Sequence, residues 1–183
     1  MKQILCITGN EDKFKEFQKM ISVKLKRKKI DLPELQGTPE EIVKEKSKLA
    51  CRITKKPCFV DDTSLCFEEW GGLPGPYIKH FIESLGDHKL AKTLLASGNN
   101  RAKAITSIGF CEPGKKPVCI QGTIKGRITL PKGKLGFEKG WSKIFIPDGS
   151  SKSHAEMTIE EKKPFSQRKK AIIAFEKFLK RLN

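Results

Sequence analysis

Hydrophobic and polar residues along the chain follow the spacing of buried strands in some segments and of amphipathic helices in others. The apolar run QILCIT (3–8) predicts a buried strand. Residues 11–21 repeat apolar side chains at i, i+3 and i+7, which predicts a helix, and Asn10 stands where an N-cap is expected. The segment VKLKRKKIDL (23–32) is extended but heavily charged, which is typical of an edge strand.

The pattern continues with a second helix and a central strand. Residues 39–54 predict a helix, with Pro39 in its first turn and acidic residues where the helix dipole favours them. PCFVDD (57–62) predicts a central strand that ends on two acids. Beyond a Gly/Pro-rich break, the predicted elements are helices over 76–85, 87–98 and 165–182 and strands over 102–111 and 118–130.

The last two predicted strands set the fold class. They are separated by a turn around Gly114, so they form a hairpin, and the sheet is mixed rather than purely parallel. The alternation of strands and helices indicates an α/β fold. At 183 residues the chain is predicted to form a single domain, 1–183.

The C-terminal helix is amphipathic, with Ile172, Phe175, Leu179 and Leu182 on its apolar face. Such a helix can pack on a core or lie on a membrane, and core packing is favoured. No apolar run approaches a membrane span, and the first residues are too short and strand-like for a signal peptide. We therefore expect a cytoplasmic protein that does not associate with membranes.

The net charge and the cysteine pattern limit the classes of ligand that the protein is expected to bind. The net charge of +16 favours polyanions: nucleic acid, anionic lipid or a phosphorylated small molecule. The six cysteines form no C-x-x-C pair, and cysteines and histidines show no zinc-ligand spacing. We expect reduced, mostly buried thiols.

The segment ILCITGNEDKF (4–14) combines a strand, a tight turn and a helix start. Backbone N–H groups after Gly9 and the positive helix end converge where an anion can bind, and Lys13 adds a full charge one turn later. Gly9 is expected to permit the turn. The segment matches neither a P-loop nor a dinucleotide-binding pattern, so an ordinary helix N-cap is the alternative.

Asp61 and Asp62 stand together at the end of the predicted central strand. Because successive strand residues point to opposite sides, only one acid can face a given site, and the other shares a side with Thr63. Mg²⁺ commonly binds through one or two carboxylates, waters and substrate phosphates. Glu34, on the turn DLPELQG, and Asp62 are candidates for those carboxylates, and a solvated acid pair is the alternative.

Several longer strings, in this order and at this spacing, closely resemble the inosine triphosphate pyrophosphatase family over nearly the whole chain. The most specific is GGLPGPYIK (71–79). The strings are TGNEDKFKE, IDLPELQGTPEEI, VDDTSLCFEEWGGLPGPYIKHF, RITLPKG, AEM and SQRKKA.

This resemblance implies a two-lobed α/β fold, with a long mixed sheet flanked by helices and a nucleotide cleft between the lobes, in a homodimer. The implied reaction is hydrolysis of non-standard purine nucleoside triphosphates, such as inosine (ITP), deoxyinosine (dITP) and xanthosine (XTP) triphosphates. The products are the monophosphate and pyrophosphate. The implied cofactor is Mg²⁺, with Mn²⁺ as a substitute.

The resemblance also implies roles for individual residues. Glu34 and Asp62 would bind the metal, and Asp62 would accept the proton of the attacking water, which with Lys13 makes the catalytic set. The residues implied to hold the triphosphate or line the cleft are Thr8, Gly9, Asn10, Lys13, Lys46, Asp62, Thr63, Lys79 and Lys162. For Lys46 and Lys162, solvated helix charges are the alternative.

The two segments that the resemblance implies contact the purine base depart from the family pattern. The chain has KGWS where the family usually has Phe-Gly-Trp/Tyr-Asp, and Ser-Gln-Arg where the family has Ser-His-Arg. Trp141 and Arg168 are retained, and Arg168 could donate to a 6-oxo purine. The implied base-binding residues are Lys139, Gly140, Trp141, Ser142, Gln167 and Arg168. For Trp141, simple core packing is the alternative.

Two hypotheses of different class remain. One is the Mg²⁺-dependent pyrophosphatase, with an altered base preference as a variant. The other is a nucleic-acid-binding protein of the same fold, suggested by the charge and by runs such as KLKRKK (24–29), which is the less favoured of the two.

Overall fold

The predicted order of strands and helices is found in the structure, a computed structural model in which residues 3–133 and 140–182 are described. The helices are α1 (Glu11–Met20), α2 (Pro39–Thr54), α3 (Ile78–Ser97), α4 (Ile159–Lys162) and α5 (Gln167–Leu182). The strands are β1 (Ile4–Ile7), β2 (Leu25–Lys28), β3 (Cys58–Phe67), β4 (Pro74–Gly75), β5 (Arg101–Cys111), β6 (Val118–Ile128) and β7 (Phe145–Pro147).

Within the described residues these strands form one mixed sheet in the order β2-β1-β3-β5-β6-β7, with β4 paired to β3. β1 runs parallel to β2 and to β3, whereas β3 with β4 and β6 with β7 are antiparallel. The predicted mixed sheet is confirmed, and the charged segment 23–32 contributes the edge strand β2.

The chain divides into two compact units, as the two-lobed prediction requires. The first unit contains Met1–Asp62, Thr106–Gly122 and Arg168–Asn183. The second contains Thr63–Ile105 and Thr123–Gln167.

The first unit packs helices on both sides of the sheet. On one side, the ring of Phe59 in β3 lies 4.9 Å from that of Phe17 in α1 and 5.1 Å from that of Phe175 in α5. On the other side, Val60 of β3 belongs to a buried cluster with Val43 of α2. Because Phe59 and Val60 are successive strand residues, α1 and α5 cover one side of β3 and α2 covers the other.

The second unit has its own core, in which Leu90 and Leu94 of α3 cluster with Phe67 and Phe145. α3 contains a break at Gly86, where φ is 76° and ψ is 160°. Only a residue that tolerates positive φ fits there without strain. The two predicted helices 76–85 and 87–98 are therefore the two halves of α3.

Two expectations need correction. The central strand does not end at the acids: β3 continues to Phe67, because Leu65 and Cys66 pair with β4 and extend the ladder. Leu182 was predicted on the apolar face of the last helix but is 40% exposed, since it lies at the helix end beyond the core that buries Leu179.

The thiols agree with the sequence prediction: all six cysteines are free, and Cys66 and Cys119 are the two that are only half-buried. Among the described helices, none has the length and apolar character needed to cross a membrane.

Candidate functional site

The alternation of β3 sends Asp61 and Asp62 to opposite sides of the sheet. Asp61 lies on the side of Phe59, towards α1 and α5, and Asp62 lies on the side of Val60, towards α2. The two carboxylates consequently have different surroundings: Asp61 is paired with Lys13 of α1, whereas Asp62 lies within the influence of Lys13 and Lys46 without a direct pair.

Asp61 forms a buried ion pair. Its Oδ2 lies 2.9 Å from Nζ of Lys13, and its side chain is 2% exposed, so the remaining exposure of this residue is in its backbone. Nε of Arg168 lies 3.9 Å from the same oxygen. Burial opposes ionisation, but the charges of Lys13 and Arg168 and the Lys13 hydrogen bond outweigh it, so the pKa of Asp61 is lowered. Asp61 is therefore a charged carboxylate.

Asp62 behaves in the opposite way. Its Oδ2 is buried and has no hydrogen-bond partner in the described part of the chain. Burial raises the pKa of Asp62 to about 6, against the influence of Lys13 and Lys46, and the charges of Asp61 and Glu34 raise it further. Burial outweighs the two lysines, since neither is hydrogen-bonded to Oδ2 of Asp62.

The charge of Glu34 acts on the pKa of Asp62, so the two carboxylates lie near each other, although 28 positions separate them along the chain. Oε2 of Glu34 also lies 2.9 Å from Nζ of Lys46, whose side chain is 15% exposed. The two carboxylates thus face a common region with Lys13 and Lys46. In residues 3–133 and 140–182, no group of three or more His, Cys, Asp or Glu side chains is arranged to hold a metal ion by itself.

The loop that carries Glu34 is held by the start of α2. The Thr38 hydroxyl accepts from the backbone N–H of Glu41, and the Glu41 carboxylate accepts from the backbone N–H of Thr38 at 2.8 Å, which is a complete capping box. Pro39 occupies the first turn, as predicted. These contacts set where the chain enters the helix.

The turn between β1 and α1 is built from its own side chains. The Thr8 hydroxyl accepts from the N–H of Asn10 at 3.1 Å, and Asn10 accepts from the N–H of Lys13 at 3.0 Å, which confirms Asn10 as the N-cap. Gly9 does not have positive φ, and a Cβ there would meet only side-chain carbons of Lys29 at 3.8–3.9 Å. Gly9 is thus compatible with the turn, and the protein also leaves room there for a side chain.

The second unit contains the predicted polar residues Thr63, Lys79, Lys162 and Gln167. The buried Thr63 hydroxyl has no hydrogen-bond partner among the described residues. Lys79 lies in the first turn of α3 with a 75% exposed side chain, 3.9 Å from Glu83. Lys162 is half-buried at the end of α4, and Gln167 is buried at the start of α5.

The residues expected to read the base are held by packing. The ring of Trp141 lies 5.7 Å from that of Phe145, nearly perpendicular to it, and 5.8 Å from that of His154. Ser142 is buried, and its carbonyl accepts from the N–H of Ala155 at 3.1 Å. Gly140, with φ of 100°, precedes this short 3₁₀ turn. Lys139 falls outside the described residues.

Arg168 shows a contact that its sequence position did not predict. Its Nη1 lies 3.3 Å from Oε2 of Glu16 on α1, in addition to the approach of its Nε to Asp61. Sequence reasoning missed Glu16 and the pairing of Asp61 with Lys13. The sequence did contain a signal for the pairing of Asp61. Successive side chains of a strand point to opposite sides, so Asp61 and Asp62 need different partners.

Comparison with known proteins gives consistent matches. The model of the Ham1 family matches residues 4–178. A curated inosine triphosphate pyrophosphatase from Emericella nidulans is 41% identical over 182 residues, covering 98% of this chain and 97% of its own. The structure of the Staphylococcus aureus Ham1 protein has a TM-score of 0.87 and 25% identity, with 100% of both chains covered. A nucleoside-triphosphatase / dITP/XTP pyrophosphatase from Mycobacterium abscessus has a TM-score of 0.76 and 26% identity, covering 94% of this chain and 98% of that one.

Proposed function

The chain belongs to the Ham1 family, and on this premise we propose that it hydrolyses the non-standard purine nucleoside triphosphates ITP, dITP and XTP to the monophosphate and pyrophosphate. Such an activity removes deaminated purines from the nucleotide pool. Support for the substrates comes from the names of relatives: one is an inosine triphosphate pyrophosphatase and another a dITP/XTP pyrophosphatase. We also propose a homodimer, which sedimentation velocity would test.

The observation that carries this proposal is the state of Asp62. A buried carboxylate oxygen without a hydrogen-bond partner is costly and calls for an explanation. Two lysines and a second carboxylate, Glu34, act on the same group. A ligand that supplies positive charge to Asp62 and negative charge to the lysines would satisfy every one of these groups.

Magnesium with a phosphate chain fits that description. Two carboxylates, Glu34 and Asp62, match the number of protein ligands that Mg²⁺ commonly uses, because waters and phosphate oxygens complete its shell. Mn²⁺ accepts the same oxygen donors and is the proposed substitute. When bound, the ion would neutralise charge that develops on the phosphates as the bond between α- and β-phosphate breaks.

The protein's own groups supply positioning and proton transfer. Lys13 and Lys46 hold the phosphates by charge, and the first backbone N–H groups of α1 add the partial positive charge of a helix N-terminus. Asp62 accepts the proton of the attacking water. In the metal-free protein, burial raises the pKa of this carboxyl to about 6.

The direct test is incubation with ITP and Mg²⁺. We expect inosine monophosphate and pyrophosphate in equal amounts, activity with dITP and XTP, slower turnover of ATP and GTP, and loss of activity with a metal chelator. Absence of pyrophosphate from every purine triphosphate, with Mg²⁺ and with Mn²⁺, would refute the proposal. If nucleic acid then bound with a steep salt dependence, the alternative function would stand.

Gly9→Ala is expected to weaken substrate binding without destabilising the fold. The added methyl group meets ordinary van der Waals contacts within the protein, so the melting temperature should stay within about 2 °C of the wild-type value. A phosphate that approaches the backbone of this exposed turn would meet the methyl group, and KM should rise about tenfold, equivalent to about 1.4 kcal/mol. Thermal unfolding and steady-state kinetics measure the two effects, and an unchanged KM would contradict the prediction.

A further inference from the structure

The edge strand β2 ends beside the turn that carries Gly9. β2 runs parallel to β1 with Cys6 opposite Arg27, and the N–H of Thr8 donates to the carbonyl of Lys28 at 3.2 Å. The carboxyl ends of both strands therefore lie at the same edge of the sheet. In open α/β sheets this is the edge at which ligands bind.

The guanidinium of Arg27 lies beside the Gly9 turn. Its Nη1 lies 3.4 Å from the carbonyl oxygen of Gly9. The surroundings of Cys6 agree with this position of Arg27. Burial raises the pKa of Cys6, the charge of Asp61 raises it further, and the charges of Lys13 and Arg27 lower it. The guanidinium is thus close to the same thiol as the ion pair of the proposed site.

The side chain of Lys29 also lies beside the Gly9 turn. Its side-chain carbons lie 3.8–3.9 Å from the position that a Cβ on Gly9 would occupy. Both Lys29 and Arg27 are exposed. Neither has a carboxylate within ion-pair distance among residues 3–133 and 140–182, whereas Lys13 and Lys46 are each held by one. These two cations are available to an incoming anion.

We propose that Arg27, with Lys29 beside it, binds the triphosphate chain of the substrate at the Gly9 turn. The inference rests on the proposed function, which it extends by two residues that the family resemblance did not include. A guanidinium binds phosphate oxygens through paired N–H groups, and an exposed one stays accessible to a mobile substrate. Because the contact exists before and during the reaction, its loss raises KM and leaves kcat nearly unchanged.

The experiment compares Arg27→Gln with Lys26→Gln. Lys26 is the adjacent residue of β2, is also exposed and points to the opposite side of the sheet, so both variants lose one positive charge from the same strand. With ITP and Mg²⁺, Arg27→Gln should raise KM about tenfold and make KM less dependent on salt. Lys26→Gln should change KM less than about twofold, since Lys26 lies opposite Leu5, four positions before Gly9, and an exposed charge there acts only at long range. Arg27→Lys should recover part of the affinity.

A second measurement is independent of hydrolysis. Calorimetric titration with inorganic tripolyphosphate should give weaker binding for Arg27→Gln than for Lys26→Gln by a similar factor. Equal KM and equal tripolyphosphate affinity for the two variants would overturn the assignment of Arg27. So would a lowered melting temperature of Arg27→Gln with unchanged affinity, which would mean that Arg27 only braces the Gly9 carbonyl. If the wild-type protein hydrolyses no nucleotide, the proposed function fails, and the tripolyphosphate comparison still decides on Arg27.

Discussion

Asp62→Asn is expected to lower kcat about 10²–10⁴-fold, the usual range for loss of a general base. The same change should make the metal-free protein more stable. The pKa of Asp62 is raised from 3.8 to about 6 in the folded state, so the ionised carboxylate at pH 8 disfavours folding by about 3 kcal/mol. A neutral asparagine of the same shape avoids most of that cost. Loss of activity with a gain in stability is characteristic of a residue retained for function.

The pH dependence follows from the direction of the shift. Because the folded pKa is raised, the protonated carboxyl favours folding, and this contribution disappears as the pH rises from 3.8 to about 6. The stability difference between Asp62→Asn and wild type should therefore grow over that range and stay constant above it. Chemical denaturation in a chelator at several pH values measures the difference, with Asp87→Asn in the second unit as the matched control. Addition of Mg²⁺ should stabilise wild type more than Asp62→Asn. A wild-type protein as stable as Asp62→Asn at pH 8 without metal would contradict this account.

Lys13→Met is expected to destabilise the protein by about 3 kcal/mol, near the lower end of the range for breaking a buried ion pair. The change leaves the Asp61 carboxylate, which is 2% exposed, without its closest cation. Arg168 at 3.9 Å offsets part of the loss. Activity should fall as well, because the same ammonium group is proposed to hold phosphate.

Lys15→Met on the same helix is the matched control. Lys15 pairs with Glu11 at 3.4 Å, but both side chains are more than half exposed, so this change should cost less than about 0.5 kcal/mol. The double variant Lys13→Met/Asp61→Asn should recover much of the stability but not the activity, since it removes the unpaired charge. Equal denaturation midpoints for Lys13→Met and Lys15→Met would refute the role of the pair.

Lowering the pH should reduce the difference in stability between Lys13→Met and wild type. The pKa of Asp61 is lowered in the folded protein, so the stabilisation from its pair is present above the ordinary carboxyl pKa of 3.8 and disappears as the pH falls through the lowered folded value. Asp61 and Asp62 are thus expected to give opposite pH trends. Two neighbouring carboxyls with separated pKa values are what acid–base chemistry at neutral pH requires.

Much of the fold was predictable because its signals are local. The helix over 39–54 was predicted with its observed bounds, since Pro39 and the acids of the first turn mark its start. Asn10 was recognised as a cap for the same reason. The length of β3 was not predictable, because its continuation to Phe67 depends on pairing with β4, which the Gly/Pro-rich segment brings back along the chain.

The candidate site was predictable only in part. Motif resemblance identified Glu34, Asp62, Lys13 and Lys46, and their roles remain predictions. It did not identify Arg27, because a basic residue in a charged edge strand is ordinary until the carbonyl of Gly9 is found 3.4 Å from it.

The amino-acid sequence by itself determined the order of the elements, the helix caps and the identity of the residues available for chemistry, because periodicity and capping act over a few positions. Only the tertiary structure decided which of two adjacent, chemically identical carboxyls ionises below the usual pH and which keeps its proton up to about pH 6. Lys13, 48 positions away, touches Asp61 and keeps it ionised, while burial without such a contact raises the pKa of Asp62. Burial and long-range charge pairing arise only when distant segments pack together, and so the chemistry of this site was settled by folding.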